Sequence, residues 1–488
     1  MTAFFAPRGG QTLFQGAILF ATTLTAMTLL AQTAPVSPDH PWHSAEERGI
    51  ANEALRVSES RLGIEPGRTY SLAELIDLAE VHNPETRVAW ERARAQAAAL
   101  GLARSELYPT LAAAALSQTS RFEIPVGPFF ARETTQSFEG TLELRYLVFD
   151  FGGRSGRIGA AAADALASDF AFNDTHRRII FQVEQTYYRL LNASGQEAAA
   201  RASLTNAQTV EQSAEERLKN GLATLPDVLE ARSATALARY ELQSVLGAED
   251  IARGDLAAAL GDLPNVVIHP QPLDHLSVPD SIEDTVDQAI GRAFAERPDL
   301  LEQLAEVRSN RARVKEAHAA FYPNLEVSVA PTVQSLYGQQ QAYPWANTGD
   351  LNGGLAVRLN WTVFDGGARK SRLAQAEANV RRDDAEVSSK RDQIANEIWT
   401  VYSNVKTAFA QRQSAVAFLE AATQSYAAAL ESYTYGVRNL LDVTAAQRTL
   451  AQARSTDVLA RTQVLTSLAD LAFRTGDTIQ SGARRPGR

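Results

Sequence analysis

Phe138-Glu139-Gly140-Thr141-Leu142-Glu143-Leu144-Arg145-Tyr146-Leu147-Val148-Phe149-Asp150 is the stretch on which the reading of this chain turns. In a β-strand, successive side chains point to opposite faces. Phe138, Gly140, Leu142, Leu144, Tyr146 and Val148 then share one face, and Glu139, Thr141, Glu143 and Arg145 the other. A second stretch, Leu351 to Asp365, alternates in the same way. Leu351, Gly353, Leu355, Val357, Leu359, Trp361 and Val363 oppose Asn352, Gly354, Ala356, Arg358, Asn360 and Thr362. A sheet over a soluble core also alternates, so the pattern alone does not decide. Length and charge do. Both runs exceed the ~9–11 residues that cross hydrocarbon at a tilt, and both polar faces carry charge. Tyr146 and Trp361, with Tyr108 and Tyr322 nearby, stand where an interfacial aromatic girdle would lie.

The two stretches belong to a duplicated chain. Asn83-Pro84 recurs as Arg297-Pro298 and Leu107-Tyr108-Pro109 as Phe321-Tyr322-Pro323, both 214 residues on. Val148-Phe149-Asp150 recurs as Val363-Phe364-Asp365, Gly221 as Gly436, Asp227-Val228 as Asp442-Val443 and Gly261-Asp262 as Gly476-Asp477, all 215 residues on. Repeats at a fixed shift imply two homologous units. The reading is therefore a first repeat over 71–262, a Pro-rich linker over 263–280, a second repeat over 281–477 and a short tail over 478–488.

Each repeat has the same predicted order. A helix ending at Tyr-Pro precedes two strands, 110–118 and 137–149 in the first repeat and 324–332 and 351–364 in the second. A long helix follows, 154–220 or 369–435, reaching ~100 Å at 1.5 Å per residue. A glycine reverses the chain into a last helix, 226–260 or 440–473. Val380, Val387, Ile394 and Val401 fall seven apart, the mark of a narrow coiled-coil seam. Polar-inside, apolar-outside strands joined to such helices predict a membrane β-barrel continued by an α-helical tube. Four strands cannot close a barrel, for which about eight is the minimum. An open edge facing lipid has no backbone partners, so the chain must oligomerise. The rival reading is an extracytoplasmic coiled-coil scaffold that transports nothing.

At the N-terminus, Arg8 precedes an apolar run from Leu13 to Leu30 and small residues at Ala31 and Ala34, the pattern of a signal peptide over 1–34. Residues 35–70 form an N-terminal extension with no counterpart in the second half. The 488 residues carry 47 Lys plus Arg against 57 Asp plus Glu, a net charge of −10, and so lack the basic balance of a nucleic-acid binder. Zero Cys excludes disulfides, thiolate metal sites and a Cys nucleophile, and seven His with no His-x-x-x-His pair argue against a zinc hydrolase. Asp150-Phe151-Gly152 spells a kinase metal-binding motif, but its duplicate Asp365-Gly366-Gly367 reads as a strand-to-helix turn. Catalytic residues, cofactor and metal are not expected.

The paired Tyr-Pro helix stops, the paired Val-Phe-Asp junctions with their following glycines, and the paired tip glycines followed by Asp-Val make the chain from Ser71 to Asp477 resemble the TolC family of outer-membrane efflux and secretion channels. The resemblance implies a homotrimer with a 12-stranded barrel in the outer membrane of a Gram-negative bacterium and a periplasmic α-barrel. It implies a passive conduit that docks onto a periplasmic adaptor and an inner-membrane pump. It further implies that the helix-turn-helix tips form the periplasmic gate. Arg438, Tyr433 and Asp442 match gate positions on the second tip, and Asp227 and Thr224 match their partners on the first. Gly221, Leu222, Gly436 and Val437 are the expected adaptor-docking residues. A second acidic ring position of the family is Ala445 here, which implies a less negative constriction.

Overall fold

The computed structural model describes residue 39, residues 47–56, and residues 63–477 apart from 66, 274, 275, 277, 280, 283, 284 and 341–343. The expected signal peptide, most of the extension and the C-terminal tail lie outside the described residues. One short helix, α1 (Glu47–Arg56), belongs to a separate unit that ends at residue 59; everything below concerns the second unit, residues 60–488.

Where the sequence suggested one helix before each pair of strands, there are two. α2 (Leu72–His82) and α3 (Pro84–Ser105) break at Asn83, and α6 (Val286–Glu296) and α7 (Pro298–Ala319) break at Arg297. The cause is proline at the first helical position, which forces the preceding residue into extended backbone. Asn83 turns this into an anchor. Its side chain accepts from Glu85 N–H at 2.8 Å and donates to the Ala259 carbonyl at 3.0 Å.

The strands are longer and more broken than expected. β2 (Thr110–Val126) and β3 (Phe129–Phe149) replace the predicted 110–118 and 137–149, because pairing continues to a tight turn at Gly127-Pro128. The predicted 324–332 and 351–364 are interrupted instead. β5 (Asn324–Val329) and β6 (Thr332–Gln340) lie along one edge of β3, followed by β7 (Ala346–Asn352) on β6 and β8 (Leu355–Asn360) on β5. The interruption follows from Pro331, which has no N–H for the ladder. Its carbonyl still accepts from Leu142 N–H at 3.0 Å, so β3 runs unbroken past the gap. The result is an antiparallel sheet four strands wide, with β2 at one edge and β7 and β8 at the other.

The register carries the alternation across all four. Leu111, Leu144, Val329 and Leu355 form one rung, and Ala115, Gly140, Val333 and Leu351 another on the same face. Leu111, Leu144, Val333, Leu351 and Leu355 are exposed there. On the opposite face Arg145 bridges Glu143 at 2.8 Å and Glu326 at 3.1 Å, and Gln334 donates to Glu139 at 2.8 Å. From Phe138 to Val148 the apolar face spans ~33 Å along the strand, or ~24 Å at a 45° tilt, the height of a hydrocarbon core.

β3 passes into α4 (Gly153–Lys219), which returns through α5 (Leu225–Ala259); β8 leads to α8 (Ala368–Thr434) and α9 (Leu440–Thr475). α4 and α8 each have 67 residues. Their starts show why Asp150-Phe151-Gly152 is a turn. Phe151 and Gly152 have φ of 53° and 97°, matching Gly366 and Gly367 at 64° and 89°. The carboxylate of Asp150 accepts from Arg154 N–H, and that of Asp365 from Arg369 N–H at 3.0 Å. α4 and α7 approach closely at Gly156, where a Cβ would lie 2.7 Å from Glu316 N.

Midway along the helices two apolar clusters and an ion network hold the bundle. One cluster gathers Leu75, Ile179, Val183, Tyr187, Leu256 and Ile268, the other Ala293, Leu300, Val307, Ile394 and Ile398. Between them Arg177, 2% exposed, donates to the Phe473 carbonyl and to Asp174, both at 2.6 Å, with its guanidinium over the Phe473 ring. Arg297 pairs with Asp299 and Glu397, Lys390 with Asp299, and Arg474 with Glu397, all within 3.0 Å. Buried charges are tolerated when each has such partners. The linker is more than a connector here: β4 (His269–Pro270) pairs in parallel with β1 (Thr69–Tyr70), a strap beside the first cluster, which Tyr70 and Ile268 join.

Glu184 is the exception in this region. Its Oε2 is buried with no hydrogen-bond partner among the described residues, and burial pushes the carboxyl up to about 7. The folded chain therefore keeps a proton that the unfolded chain releases near its usual 4.5, so stability falls as pH rises between those values. Glu184→Gln is expected to raise the melting temperature at pH 8, reflecting roughly 1–3 kcal/mol, and to change it little at pH 5. Calorimetric melts at both pH values check this; equal shifts would refute it.

Candidate functional site at the helical tips

Both helical hairpins reverse on a glycine. Gly221 and Gly436 have φ of 72° and 77°, a region open to glycine at no steric cost. Leu222 N–H then donates to the Arg217 carbonyl at 2.8 Å and Val437 N–H to the Ser432 carbonyl at 2.9 Å, closing each helix end. The next helices start differently. Thr224 caps α5, with its amide and hydroxyl donating to Asp227 Oδ2 at 2.8 and 2.7 Å. Asn439 caps α9, its Oδ1 accepting from Asp442 N–H at 3.0 Å.

The bonds from Thr224 hold the Asp227 carboxyl below the usual carboxylate range, helped by the charge of Arg217. Asp227 is thus an ionised helix cap. Tyr433 is 4% exposed inside the apolar cluster of the tips, with Val210, Ala214, Val228, Tyr426, Leu440 and Val443. Burial pushes its phenol up, and its hydroxyl has no partner among the described residues. Asp442 is exposed, and Arg438 is exposed and makes no ion pair within 4.0 Å among the described residues. Of the expected gate residues, the structure joins Thr224 to Asp227 and sets Tyr433 close to Asp227. It does not pair Arg438 with Asp227 within one protomer; the Thr224 cap engages Oδ2 of that carboxylate. Leu222 and Val437 stand 66% and 79% exposed at the turns.

One residue at this site escaped the sequence reading. Arg217, in the last turn of α4, donates through Nη1 to the carbonyls of Tyr433 and Thr434 at 2.8 and 3.2 Å and lies 4.7 Å over the Tyr433 ring. Its signal was faint: an arginine one turn before the tip glycine, with Ser432 at the corresponding place in the other half.

The family described as outer membrane efflux protein matches residues 75–262 and 289–477. Protein CyaE of Bordetella pertussis is 29% identical over 410 residues, covering 83% of this chain and 84% of CyaE. Outer membrane protein OprJ of Pseudomonas aeruginosa is 25% identical over 381 residues, covering 76% and 75%. Among solved structures, the outer-membrane channel OprN superposes with a TM-score of 0.73 at 19% identity, over 85% of this chain and 94% of that one, and CusC with 0.71 at 18%, over 86% and 96%. Such folds are outer-membrane channels, and the chain belongs to the outer membrane efflux protein family. It is an outer-membrane channel of an efflux or secretion system in a Gram-negative bacterium, a passive conduit and not an enzyme. The scaffold reading is set aside by that membership.

The cap geometry makes a local prediction. Asp227→Ala removes the acceptor of both Thr224 donors and is expected to cost about 1 kcal/mol at the start of α5, or ~5-fold faster amide exchange there. Hydrogen-exchange mass spectrometry should show this acceleration at the first tip and none around Leu256. Unchanged exchange at the tip would show that the cap is dispensable.

Proposed function

We propose that three copies of this chain form one conduit, a 12-stranded barrel in the outer membrane continued by a helical tunnel into the periplasm. The observation that carries this is the pair of open edges on a four-strand-wide sheet with a hydrocarbon-high apolar face. Backbone groups on β2 and on β7 and β8 need partners that lipid does not provide, and edge-to-edge pairing of copies supplies them. Two copies would give eight strands, whose interior side chains fill; twelve leave a lumen that continues the helical tunnel. The lumen face mixes signs, with Glu143, Glu326, Arg145 and Arg358 close together, which suits a permissive pore better than a selective one. Native mass spectrometry of the detergent-extracted protein is expected to show three times the mature chain mass, and carbonate washing is expected to leave it in the membrane. A stable dimer, or release by carbonate, would refute the assembly.

The tips form the periplasmic entrance in this reading. Arg438, which has no ion pair among the described residues of its own protomer, pairs with Asp227 of an adjacent copy, with Tyr433 and Thr224 packing beside that contact. Leu222 and Val437, exposed beside Gly221 and Gly436, are the apolar knobs covered by a periplasmic adaptor that connects the channel to an inner-membrane pump. Three copies of exposed Asp442 ring the mouth and concentrate cations. Asp442→Asn is expected to weaken block by a trivalent cation added from the periplasmic side about tenfold, at ~0.5 kcal/mol for each of three carboxylates. Single-channel recordings in planar bilayers check this. Unchanged block would move the cation site away from the tip.

A further inference from the structure

β2 and β3 pair without a register shift from Thr110↔Arg145 to Val126↔Phe129, so the two faces set within the membrane can be followed to the end of the hairpin. The lipid face carries Leu144, Leu142 and Phe138. Its outer limit is marked by Tyr337, which lies opposite Gln136 and stacks on Trp345 at 5.2 Å, as in an interfacial aromatic girdle. Beyond that level the polarity of the sheet changes sides. The face that met lipid now carries Arg121 opposite Thr134 and Glu123 opposite Arg132, the latter an ion pair at 3.5 Å. The face that carried Arg145, Glu143 and Glu139 now carries Phe122, Ile124, Ala131 and Phe129. Phe122 and Phe129 are 45% and 75% exposed. Pro125 and Phe130, near the turn, are the apolar pair that stays on the outward side.

Outside hydrocarbon, outward side chains meet water and polar headgroups, which charged residues suit. Apolar side chains turned toward the axis of a barrel meet neither lipid nor headgroups, and in water they are unfavourable unless another surface covers them. In a closed assembly with three-fold symmetry, the inward face of one hairpin looks toward the inward faces of the other two. A 12-stranded wall at a 45° tilt lies roughly 13 Å from its axis, so hairpins that lean inward by about 5 Å bring phenylalanine rings together. The fold leaves room for that lean. β3 pairs with β6 only up to Glu133↔Gln340, and residues 123–132 continue as a two-stranded ribbon among the described residues of the protomer. We propose that the three β2–β3 hairpins meet over the outer mouth of the conduit through Phe122, Ile124 and Phe129, forming an apolar collar at its exterior end. This rests on the trimeric channel reading proposed above. Such a collar excludes water and ions by dewetting and parts when cargo passes.

The chain has no Cys, so single cysteines in the full-length protein report position without background. Phe129→Cys is expected to cross-link between copies on treatment with a short bismaleimide, and Ile124→Cys to do the same should the first variant fold poorly. The product should hold at most about two thirds of the chains, because three cysteines around one axis leave one unpaired. Phe130→Cys, on the outward side, and Ser137→Cys, on the wall of the barrel below, are expected to stay uncross-linked. The barrier itself is read from Ser137→Cys in whole cells, where a maleimide-tagged polymer reaches the barrel only from outside. Adding Phe122→Ser and Phe129→Ser is expected to speed that labelling roughly tenfold. No cross-linking at Phe129 and Ile124, equal cross-linking at Phe130, or an unchanged labelling rate would each overturn the collar. A protein that native mass spectrometry shows not to be trimeric before cross-linking would instead overturn the assembly reading, and the collar with it.

Discussion

Backbone amides and carbonyls at a sheet edge must find partners, and inside hydrocarbon no water can serve. This one requirement shapes the chain. The first hairpin pairs without interruption over 17 residues of β2, and β3 continues unbroken where β5 and β6 part beside it. Pro331 removes a donor at that parting, yet its carbonyl is still used, by Leu142. Among the described residues, the open edges of the sheet are β2 on one side and β7 and β8 on the other. The strands that carry the apolar face carry these edges too.

Below the strands the problem is reversed: long helices in water have ample hydrogen bonds but little core. An isolated pair of 67-residue helices buries only a narrow seam. The protein compensates midway, where α2 and the strap of β1 with β4 thicken the bundle around Leu75, Ile179, Leu256 and Ile268, and α6 thickens it around Ala293, Leu300 and Ile394. The network of Arg177, Arg297, Asp299, Lys390, Glu397 and Arg474 crosses α4, α7, α8 and α9 there. Burial alone would push Asp299 up, but its bonds to Arg297 and Lys390 outweigh that and hold the carboxyl low. Each charge fixes its neighbours' positions, which gives the two repeats one relative register. The buried carboxyl of Glu184 nearby, whose Oε2 has no hydrogen-bond partner among the described residues, is the cost of placing an acid on a face that packing has covered.

The long helices, the tip glycines and the alternating strands were legible because each follows a local rule: a heptad, a positive φ, a period of two. The alternation persisted through the break at Gly353-Gly354, since two residues restore the parity of Leu351 and Leu355. The extension of β2 and β3 to Gly127-Pro128 was not legible. Polar residues such as Thr134, Thr135 and Gln136 lack a face pattern, and only their pairing with β2 and β6 makes them strand. The pairing of the linker with Thr69-Tyr70 was hidden for a related reason, because contacts across some 200 residues have no local signature. At the tips, Thr224 and Asp227 were reached only through the resemblance, as matches to gate positions, and their joining as a helix cap was not read. Arg217 was not reached at all, since its partners are carbonyls and carbonyls have no letter in the sequence.

Arg217 also shows how the two tips of a duplicated chain come to differ. Two identical tips would be capped in the same way. Divergence at two positions breaks that equivalence. Arg217 stands where the second half has Ser432, and Arg438 where the first half has Ala223. The first arginine is spent inside the protomer, on the end of α8; the second meets no acid there among the described residues. The end of α8 thus gains a charge–dipole and ring interaction in a half-buried setting that the end of α4 lacks.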